Sequence, residues 1–286
     1  MSIRRIGKFT VVGELGTGAH STILHILRNE DHRHYALKVV PIDSADEKKF
    51  LAQAEHEFRV AKMLDHPNLI KIYAINTRSN WLFRVKKVQL LIEYVPGPTL
   101  DNLKALSIPK LASIFVQVAS GLVYMHRRGV IHADMKPNNI ILNNKTGQAK
   151  IIDYGLAWIA GEPKGRIQGT PEYMAPETVT GGFINEKTDM FNFGATMYRL
   201  VTWRLPPSLL PQPGSVRLNA KTYLQMLKPV SELSPKAPKE LCQLIHRCLE
   251  FNPDKRPVRM SEIQGTLDHI ADKVGPPEDA EEIESR

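Results

Sequence analysis

Hydrophobic and polar residues follow two different patterns along the chain. Within about the first ninety residues, β-type runs occur at 9–15, 21–27, 35–40, 71–74 and 88–94. One strongly helical stretch interrupts these runs, at about 45–64. This order predicts a sheet that is accompanied by a single helix.

After the turn-forming VPGP at 95–98, the pattern becomes mainly helical. Apolar residues between Leu111 and Met125 keep a helical spacing, and the basic RRG at 127–129 is typical of a helix end. The sequence therefore predicts an α+β, bilobal fold. A small β-rich N-terminal lobe with one helix covers about 9–94, and a larger helical lobe covers about 95–272.

The end of the chain and its proline-rich connection carry less information. Residues 273–286 include the acidic, proline-led PPEDAEEIES, which indicates a disordered tail. The segment at 203–214 has several prolines and reads as an irregular connection between helices.

Composition narrows the classes of protein that need to be considered. The chain is 42% hydrophobic and 24% charged, as globular proteins are. Its two cysteines lie in one helical segment, where Cys248 falls on the apolar stripe and Cys242 falls off it. We therefore predict neither a disulfide nor a cysteine metal site.

Charge and hydropathy indicate where the protein acts. The net charge of +8 favours acidic partners, but the positive residues are scattered, so we do not expect nucleic-acid binding. The longest uncharged run, 111–125, is shorter than the ~18 residues of a membrane span. With no signal-like start, the expected location is cytoplasmic, without a membrane segment.

The segment GTGAHS at 16–21 lies between two β-type runs. It lacks the strand-to-helix context of a dinucleotide fingerprint and the Gly-Lys ending of a Walker loop, so it predicts a hairpin turn. The glycines Gly16 and Gly18 would allow the backbone to approach phosphate oxygens. They could equally serve an ordinary hairpin by adopting positive φ.

Lys38 and Glu57 form a candidate buried ion pair. Lys38 ends the apolar run YALK, and Glu57 lies on the apolar side of the predicted helix, in register with Phe50, Ala54 and Ala61. Either charge alone would be costly to bury. Together they predict a pair that directs an ammonium group toward phosphate, although each residue alone could lie on the surface.

Two polar segments carry the strongest chemical signals. In HADMKPNN, at 132–139, Asp134 lies on a loop stiffened by proline, and Lys136 follows two residues later. Such a carboxylate can accept a hydroxyl proton while the lysine neutralises phosphoryl charge. Asn139 and Asp153, the latter in KIIDYG, offer the oxygen ligands that Mg²⁺ prefers. The alternative is that both aspartates merely cap turns.

These segments, with GTPEYMAPE at 169–177, resemble those of eukaryotic-type (Hanks-type) serine/threonine protein kinases, a family that includes bacterial members. The resemblance covers about 9–270. Lys38 and Glu57 are nineteen residues apart, as are Asp134 and Asp153.

The resemblance implies an ATP- and Mg²⁺-dependent enzyme that acts on protein serine and threonine. It assigns catalysis to Asp134 and Lys136, and metal binding to Asn139 and Asp153. The nucleotide-binding residues that it implies are Leu15, Gly16, Gly18, Ser21, Ile23, Ala36, Lys38, Glu57, Glu93, Val95 and Ile141. By the same resemblance, Ile92 is the gatekeeper and Glu177 pairs with Arg256. HADMKPNN at 132–139 is the catalytic loop, and Asp189 anchors it.

Several residues depart from the family pattern. Ser21 replaces the third glycine, Tyr154 replaces the usual phenylalanine, and Ala61 replaces a larger apolar residue. Ala133 stands where the family often has arginine, and residues 156–169 contain no serine, threonine or tyrosine. The activation segment is the stretch between Asp153 and Glu177. We therefore expect activity that does not depend on its phosphorylation.

Two other functions share part of this pattern. A kinase-fold scaffold could bind nucleotide without turnover, but each catalytic position here has a competent side chain. Small-molecule phosphotransferases, such as antibiotic or choline kinases, share the histidine, aspartate, asparagine and DxG pattern. GTPEYMAPE, with Lys136 and Thr170, favours a protein substrate instead.

Overall fold

The computed structural model describes residues 4–18, 20–42, 47–79, 85–163, 168–181, 183–210 and 219–276. The chain divides into two compact units. The N-terminal unit comprises Met1–Asp65, Leu69–Val95 and Asp153–Gly155, and the C-terminal unit comprises His66–Asn68, Pro96–Ile152 and Leu156–Arg286. Most of the predicted tail, from residue 277, and residues 211–214 of the proline-rich connection lie outside the described residues.

The N-terminal unit is an antiparallel sheet with one helix in its described part, as predicted. Its elements are β1 Arg5–Ile6, β2 Phe9–Gly18, β3 Ser21–Arg28, β4 His34–Pro41, α1 Glu47–Lys62, β5 Ile72–Ser79 and β6 Val85–Glu93. The strand order is β1-β2-β3-β4-β6-β5. Sequence reasoning did not predict β1, which has only two residues, or the full length of β2 and β5.

The alternation of side chains along β3 and β4 builds the core of this sheet. Leu24, Ile26, Tyr35 and Leu37 form a buried cluster, and their alternate positions place them on one face. The other face carries Ile23, which lies opposite Lys38 in the strand register. The sheet therefore presents its chemistry-bearing residues on the face away from this cluster.

The described part of the C-terminal unit is mainly helical. Its helices are α2 Ile108–Arg127, α3 Pro176–Val179, α4 Glu186–Thr202, α5 Ala220–Met226, α6 Val230–Leu233, α7 Lys239–Cys248 and α8 Met260–Val274. Its short strands pair as β7 Val130–Ile131 with β10 Trp158–Ile159, and β8 Ile140–Leu142 with β9 Ala149–Ile151. These small ribbons carry the loops on which the polar motifs lie.

Helix α2 is the central helix of this unit. It begins after Ser107, whose side chain accepts a hydrogen bond from the backbone of Lys110. Among the described residues it is the one helix long and apolar enough to cross a membrane by length and composition. More than half of that apolar stretch is buried in the protein, and α2 packs against α8 and α4. These contacts are those of a core helix.

Helices α4 and α7 pack closely at Gly194. A Cβ atom at Gly194 would lie 2.6 Å from Cβ of Cys248. Cys242 and Cys248 are both buried and free of disulfide bonds. The expectation that Cys242 would fall off the buried stripe was wrong, because the short α7 is covered on a wider face than its apolar spacing indicated.

Candidate active site

In the N-terminal unit, the glycine-rich segment is a hairpin turn, as predicted. β2 ends at Gly18 and β3 begins at Ser21, which lies opposite Gly18 in the register. Neither Gly16 nor Gly18 has positive φ, so the turn does not need them for that conformation. Among the described residues, no atom lies within 4 Å of a Cβ built on Gly16. That open space is room in which a ligand could approach the backbone.

The predicted ion pair is present beneath this turn. Nζ of Lys38 on β4 lies 2.7 Å from Oε2 of Glu57 on α1, and 3.8 Å from Oδ1 of Asp153. Burial alone would lower the pKa of Lys38, but the two carboxylates outweigh it and raise that pKa above its ordinary value. Lys38 is therefore a fixed cation at neutral pH.

A cavity of about 280 Å³ opens around this ion pair within the N-terminal unit. It is lined by Gly18, His20, Ser21, Lys38, Val40, Phe50, Gln53, Ala54, Glu57 and Asp153. Sequence reasoning missed His20 and Gln53 as lining residues. The ring of His20 lies 4.6 Å from that of Phe50. The helical spacing of Phe50, Gln53 and Glu57 was the signal for Gln53, whereas no pattern indicated His20.

Of the residues predicted to bind adenine, all but Ile141 belong to the N-terminal unit. Ala36 is opposite Ile92 in the β4–β6 register, and Ala36 and Val95 are both buried. The backbone N–H of Glu93 donates to the carbonyl of Lys71 at 2.8 Å. Leu15 is exposed near the end of β2. Ile141 belongs to β8 of the C-terminal unit.

In the C-terminal unit, hydrogen-bond donors converge on the buried carboxylate of Asp134. Its Oδ1 accepts from the backbone N–H and the hydroxyl of Thr170, both at 2.9 Å. Nζ of Lys136 lies 2.9 Å from Oδ2 of Asp134 and donates to Oγ1 of Thr170 at 2.5 Å. The predicted Asp134–Lys136 proximity is therefore present. Such an array of donors suits an anion.

The side-chain amide of Asn139 holds the loop around Asp134 in place. Its Nδ2 donates to the backbone carbonyl of Asp134 at 2.8 Å and to Oδ2 of Asp134 at 3.2 Å. Because the amide nitrogen is engaged in this way, the amide oxygen is the atom left to serve as a ligand.

The buried carboxylate of Asp189 anchors the loop, as predicted. It accepts hydrogen bonds from the backbone N–H of His132 at 2.8 Å and of Ala133 at 2.7 Å. Burial would raise its pKa, but the bond from His126, at 2.8 Å, outweighs burial and lowers it. Ala133 has φ of 64°, a conformation that non-glycine residues rarely adopt. Asp189 thus holds a strained loop.

A second buried ion pair supports the segment at 168–177. Arg256 is 2% exposed, and its two terminal nitrogens donate to Glu177 at 2.8 and 2.9 Å. This pairing confirms the prediction. Because it is bidentate, it fixes the orientation as well as the position of α3.

Ala133 belongs to an apolar cluster. It packs with Ile131 and Ile184, and Trp158 lies against them. Strand pairing of Trp158 with Ile131 and the bond from Nε1 of Trp158 to the carbonyl of Glu162 hold the indole in place. Apolar contacts thus occupy the place where the family often has an arginine.

The donors suit Mg²⁺ but not a metal ion held by protein alone. No group of three or more histidine, cysteine or acidic side chains that could hold a metal ion occurs among the described residues. Mg²⁺ commonly uses one or two protein oxygens together with substrate phosphates. Asp153 in the N-terminal unit has a carboxylate of this kind, and Asn139 in the C-terminal unit has an amide oxygen of this kind.

Comparison with known proteins places these features in one family. The family model described as "Protein kinase domain" matches residues 9–268. A probable serine/threonine-protein kinase of Clostridium acetobutylicum is 26% identical over 92% of this chain and 40% of its own length. A putative mitogen-activated protein kinase kinase kinase 7-like protein of Drosophila melanogaster is 33% identical over 77% of this chain and 57% of its own length.

A third relative is the serine/threonine-protein kinase PrkC of Bacillus subtilis, which is 26% identical over 70% of this chain and 31% of its own length. The chain thus matches less than two thirds of the length of each of these three relatives. The match to the family model nevertheless covers most of the chain. The chain belongs to the protein kinase family.

Proposed function

We propose that the chain transfers the γ-phosphate of ATP, with Mg²⁺, to serine and threonine hydroxyls of proteins. The observation that carries this proposal is the buried carboxylate of Asp134, with Nζ of Lys136 at 2.9 Å, on a loop anchored by Asp189. A proton acceptor beside a fixed cation is what attack by a hydroxyl on a phosphoryl group requires.

In the proposed reaction, the oxygen of the substrate hydroxyl forms a bond to the γ-phosphorus. The bond between this phosphorus and the β–γ bridging oxygen breaks, and ADP leaves with the electron pair. The hydroxyl proton passes to the carboxylate of Asp134. Lys136 lies next to that carboxylate and offsets the negative charge on the transferred group.

The nucleotide contacts are proposed for the cavity in the N-terminal unit. Lys38, held by Glu57, would bind the α- and β-phosphates, and the turn at Gly16–Gly18 would cover them. Asp153 and Asn139 would provide oxygen ligands to the metal. A Mg²⁺ ion held there would supply positive charge that offsets the charge of the phosphates.

Support for a serine or threonine substrate comes from the position of Thr170. Its hydroxyl bonds to both Asp134 and Lys136, which ties residues 168–177 to the catalytic loop. Two of the three relatives, those of Clostridium acetobutylicum and Bacillus subtilis, are named as serine/threonine-protein kinases. The cytoplasmic location stays a prediction.

We also propose that activity does not require phosphorylation of the activation segment. A phosphate activates by pairing with basic groups. Here the neighbour of the catalytic aspartate is Ala133, which packs with Ile131, Ile184 and Trp158. The beginning of the segment is held by the β7–β10 pairing. In this proposal, the apolar packing around Ala133 holds the segment in place of a phosphate paired with a basic residue.

The first experiment measures transfer of radiolabel from ATP to mixed protein substrates, followed by phosphoamino-acid analysis. Wild-type protein should yield phosphoserine and phosphothreonine, and Asp134→Asn should reduce the rate by about 10²- to 10⁴-fold. Asp254→Asn is the matched control, because Asp254 is an exposed aspartate elsewhere in the same unit, and it should be unaffected.

Two results would contradict this function. Phosphorylation of an aminoglycoside or of choline without protein labelling would support a small-molecule phosphotransferase. ATP binding without transfer to any substrate would support a nucleotide-binding scaffold.

The second experiment compares enzyme made phosphate-free by phosphatase with enzyme preincubated with MgATP. The initial rates should agree within about twofold. A tenfold rise, about 1.4 kcal/mol in the barrier, traced by mass spectrometry to a residue between 153 and 177, would show that the segment needs a phosphate.

A further inference from the structure

The side chain of Tyr154 is fully buried, yet it carries a hydroxyl group that phenylalanine lacks. That hydroxyl donates to the backbone carbonyl of Ile70 at 3.0 Å. Ile70 precedes β5 and is itself buried. The hydroxyl thus ties an irregular segment to the sheet side of the N-terminal unit.

The residue before Tyr154 has a strained backbone. Asp153 has φ of 67°, in the left-handed region, and is not a glycine. Its Oδ1 accepts from the N–H of Gly155 at 3.1 Å and lies 3.8 Å from Nζ of Lys38. A Cβ on Gly155 would come 3.0 Å from Nε2 of Gln53, so the segment passes close to α1. Strained conformations persist when neighbouring contacts determine them.

From these contacts, we infer that the hydroxyl of Tyr154 is a positioning group that keeps Asp153 in its left-handed conformation, with its carboxylate near Lys38. The inference rests on the proposed function in one respect, the role of Asp153 as a magnesium ligand. Rotation of Asp153 would move the adjacent Tyr154 and break its bond to Ile70. Phenylalanine, the usual family residue, fills the same site but cannot make this bond.

The test compares Tyr154→Phe with a matched control, Tyr198→Phe. Tyr198 on α4 is also buried, and its hydroxyl donates to the carbonyl of Lys228 at 3.1 Å. Each substitution removes one hydroxyl and leaves one backbone carbonyl without that donor. The two variants should therefore lose similar thermal stability.

Two readouts separate positioning from stability. Hydrogen exchange of the Gly155 amide should be about fivefold faster in Tyr154→Phe than in wild type, and unchanged in Tyr198→Phe. The Mg²⁺ concentration for half-maximal transfer should rise about fivefold in Tyr154→Phe alone.

Each outcome bears on the inference. Equal exchange of the Gly155 amide in wild type and Tyr154→Phe would overturn it, whether or not the protein is active, because exchange needs no turnover. Faster exchange of the Gly155 amide, with no change in the Mg²⁺ concentration for half-maximal transfer, would show that the hydroxyl of Tyr154 does not position Asp153 for metal binding. If wild-type protein transfers no phosphate, the proposed function fails, and hydrogen exchange still decides whether the hydroxyl holds Asp153.

Discussion

The carboxylate of Asp189 binds two backbone N–H groups and one imidazole in the protein interior. Its pKa is lowered in the folded protein, because the hydrogen bonds outweigh burial. A carboxyl group whose folded pKa lies below its unfolded value stabilises the protein above the unfolded pKa. That contribution disappears as the pH falls through the folded pKa. The lowered pKa of Asp189 therefore predicts that the protein loses stability in acid.

We expect Asp189→Asn to melt at a lower temperature than wild type at pH 7, because the amide replaces one acceptor oxygen with a donor. The difference in Tm should narrow below about pH 4, where the unfolded carboxyl group gains its proton. Thermal unfolding monitored by circular dichroism between pH 2 and 7 measures this gap. A gap that stays constant down to pH 2 would show that the ionised carboxylate is not its source.

Single residues also show where sequence reasoning succeeds. Glu57 was predictable as a buried partner of Lys38, because helix periodicity fixes which side of α1 it faces. His20 was not, since its contact with Phe50 depends on the path of a turn that no periodicity describes. The packing of Trp158 on Ala133 was also unpredicted, because it joins segments that are distant in sequence.

At the scale of elements, the distance between α4 and α7 depends on one glycine. Gly194 lies in the interior of α4, where a Cβ would be only 2.6 Å from Cβ of Cys248 and 3.3 Å from its carbonyl carbon. Gly265 lies in the interior of α8, and among the described residues nothing lies within 4 Å of its Cβ position. The two glycines therefore have the same helical setting but different surroundings.

Substitution by alanine should have opposite effects at these sites. Gly265→Ala should stabilise the protein by up to about 1 kcal/mol, because alanine has the higher helix propensity. Gly194→Ala should destabilise it by about 1–3 kcal/mol, because the added methyl group overpacks the contact with α7. Equilibrium urea unfolding of each variant measures both values. Stabilisation of similar size in both variants would mean that α4 and α7 separate at little cost.

The sequence predicted a mainly helical C-terminal lobe but not which of its helices are in contact. Apolar spacing identifies the face that a helix buries, and it did so for α2. It does not identify the neighbouring helix or the distance to it, so the role of Gly194 could not be read from the chain. The irregular loops were predictable only where motifs carried them, as at Asp134 and Asn139.

At the scale of the whole molecule, the net charge of +8 should affect encounter more than chemistry. We predict that kcat/KM for an acidic protein substrate falls as salt rises from about 0.02 to 0.2 M, because salt screens long-range attraction. For a basic peptide of equal length, kcat/KM should not fall. Steady-state kinetics at several salt concentrations measure both substrates. Equal salt dependence for the two would exclude steering by net charge.

The two cysteines of α7 can be used to measure how fast this helix separates from its neighbours. Cys242 and Cys248 are its two cysteines, and both are buried. Burial raises the pKa of Cys248 to about 12, and the thiolate is the form that reacts.

An alkylating reagent therefore modifies Cys248 when α7 leaves its place beside α4. The measurement follows the increase in protein mass in excess iodoacetamide. Once alkylation is faster than the return of α7 to its place, the rate of this increase should equal the opening rate of α7. It should then not depend on the reagent concentration. Prompt alkylation of native protein at both sites would show that the thiols are accessible without opening.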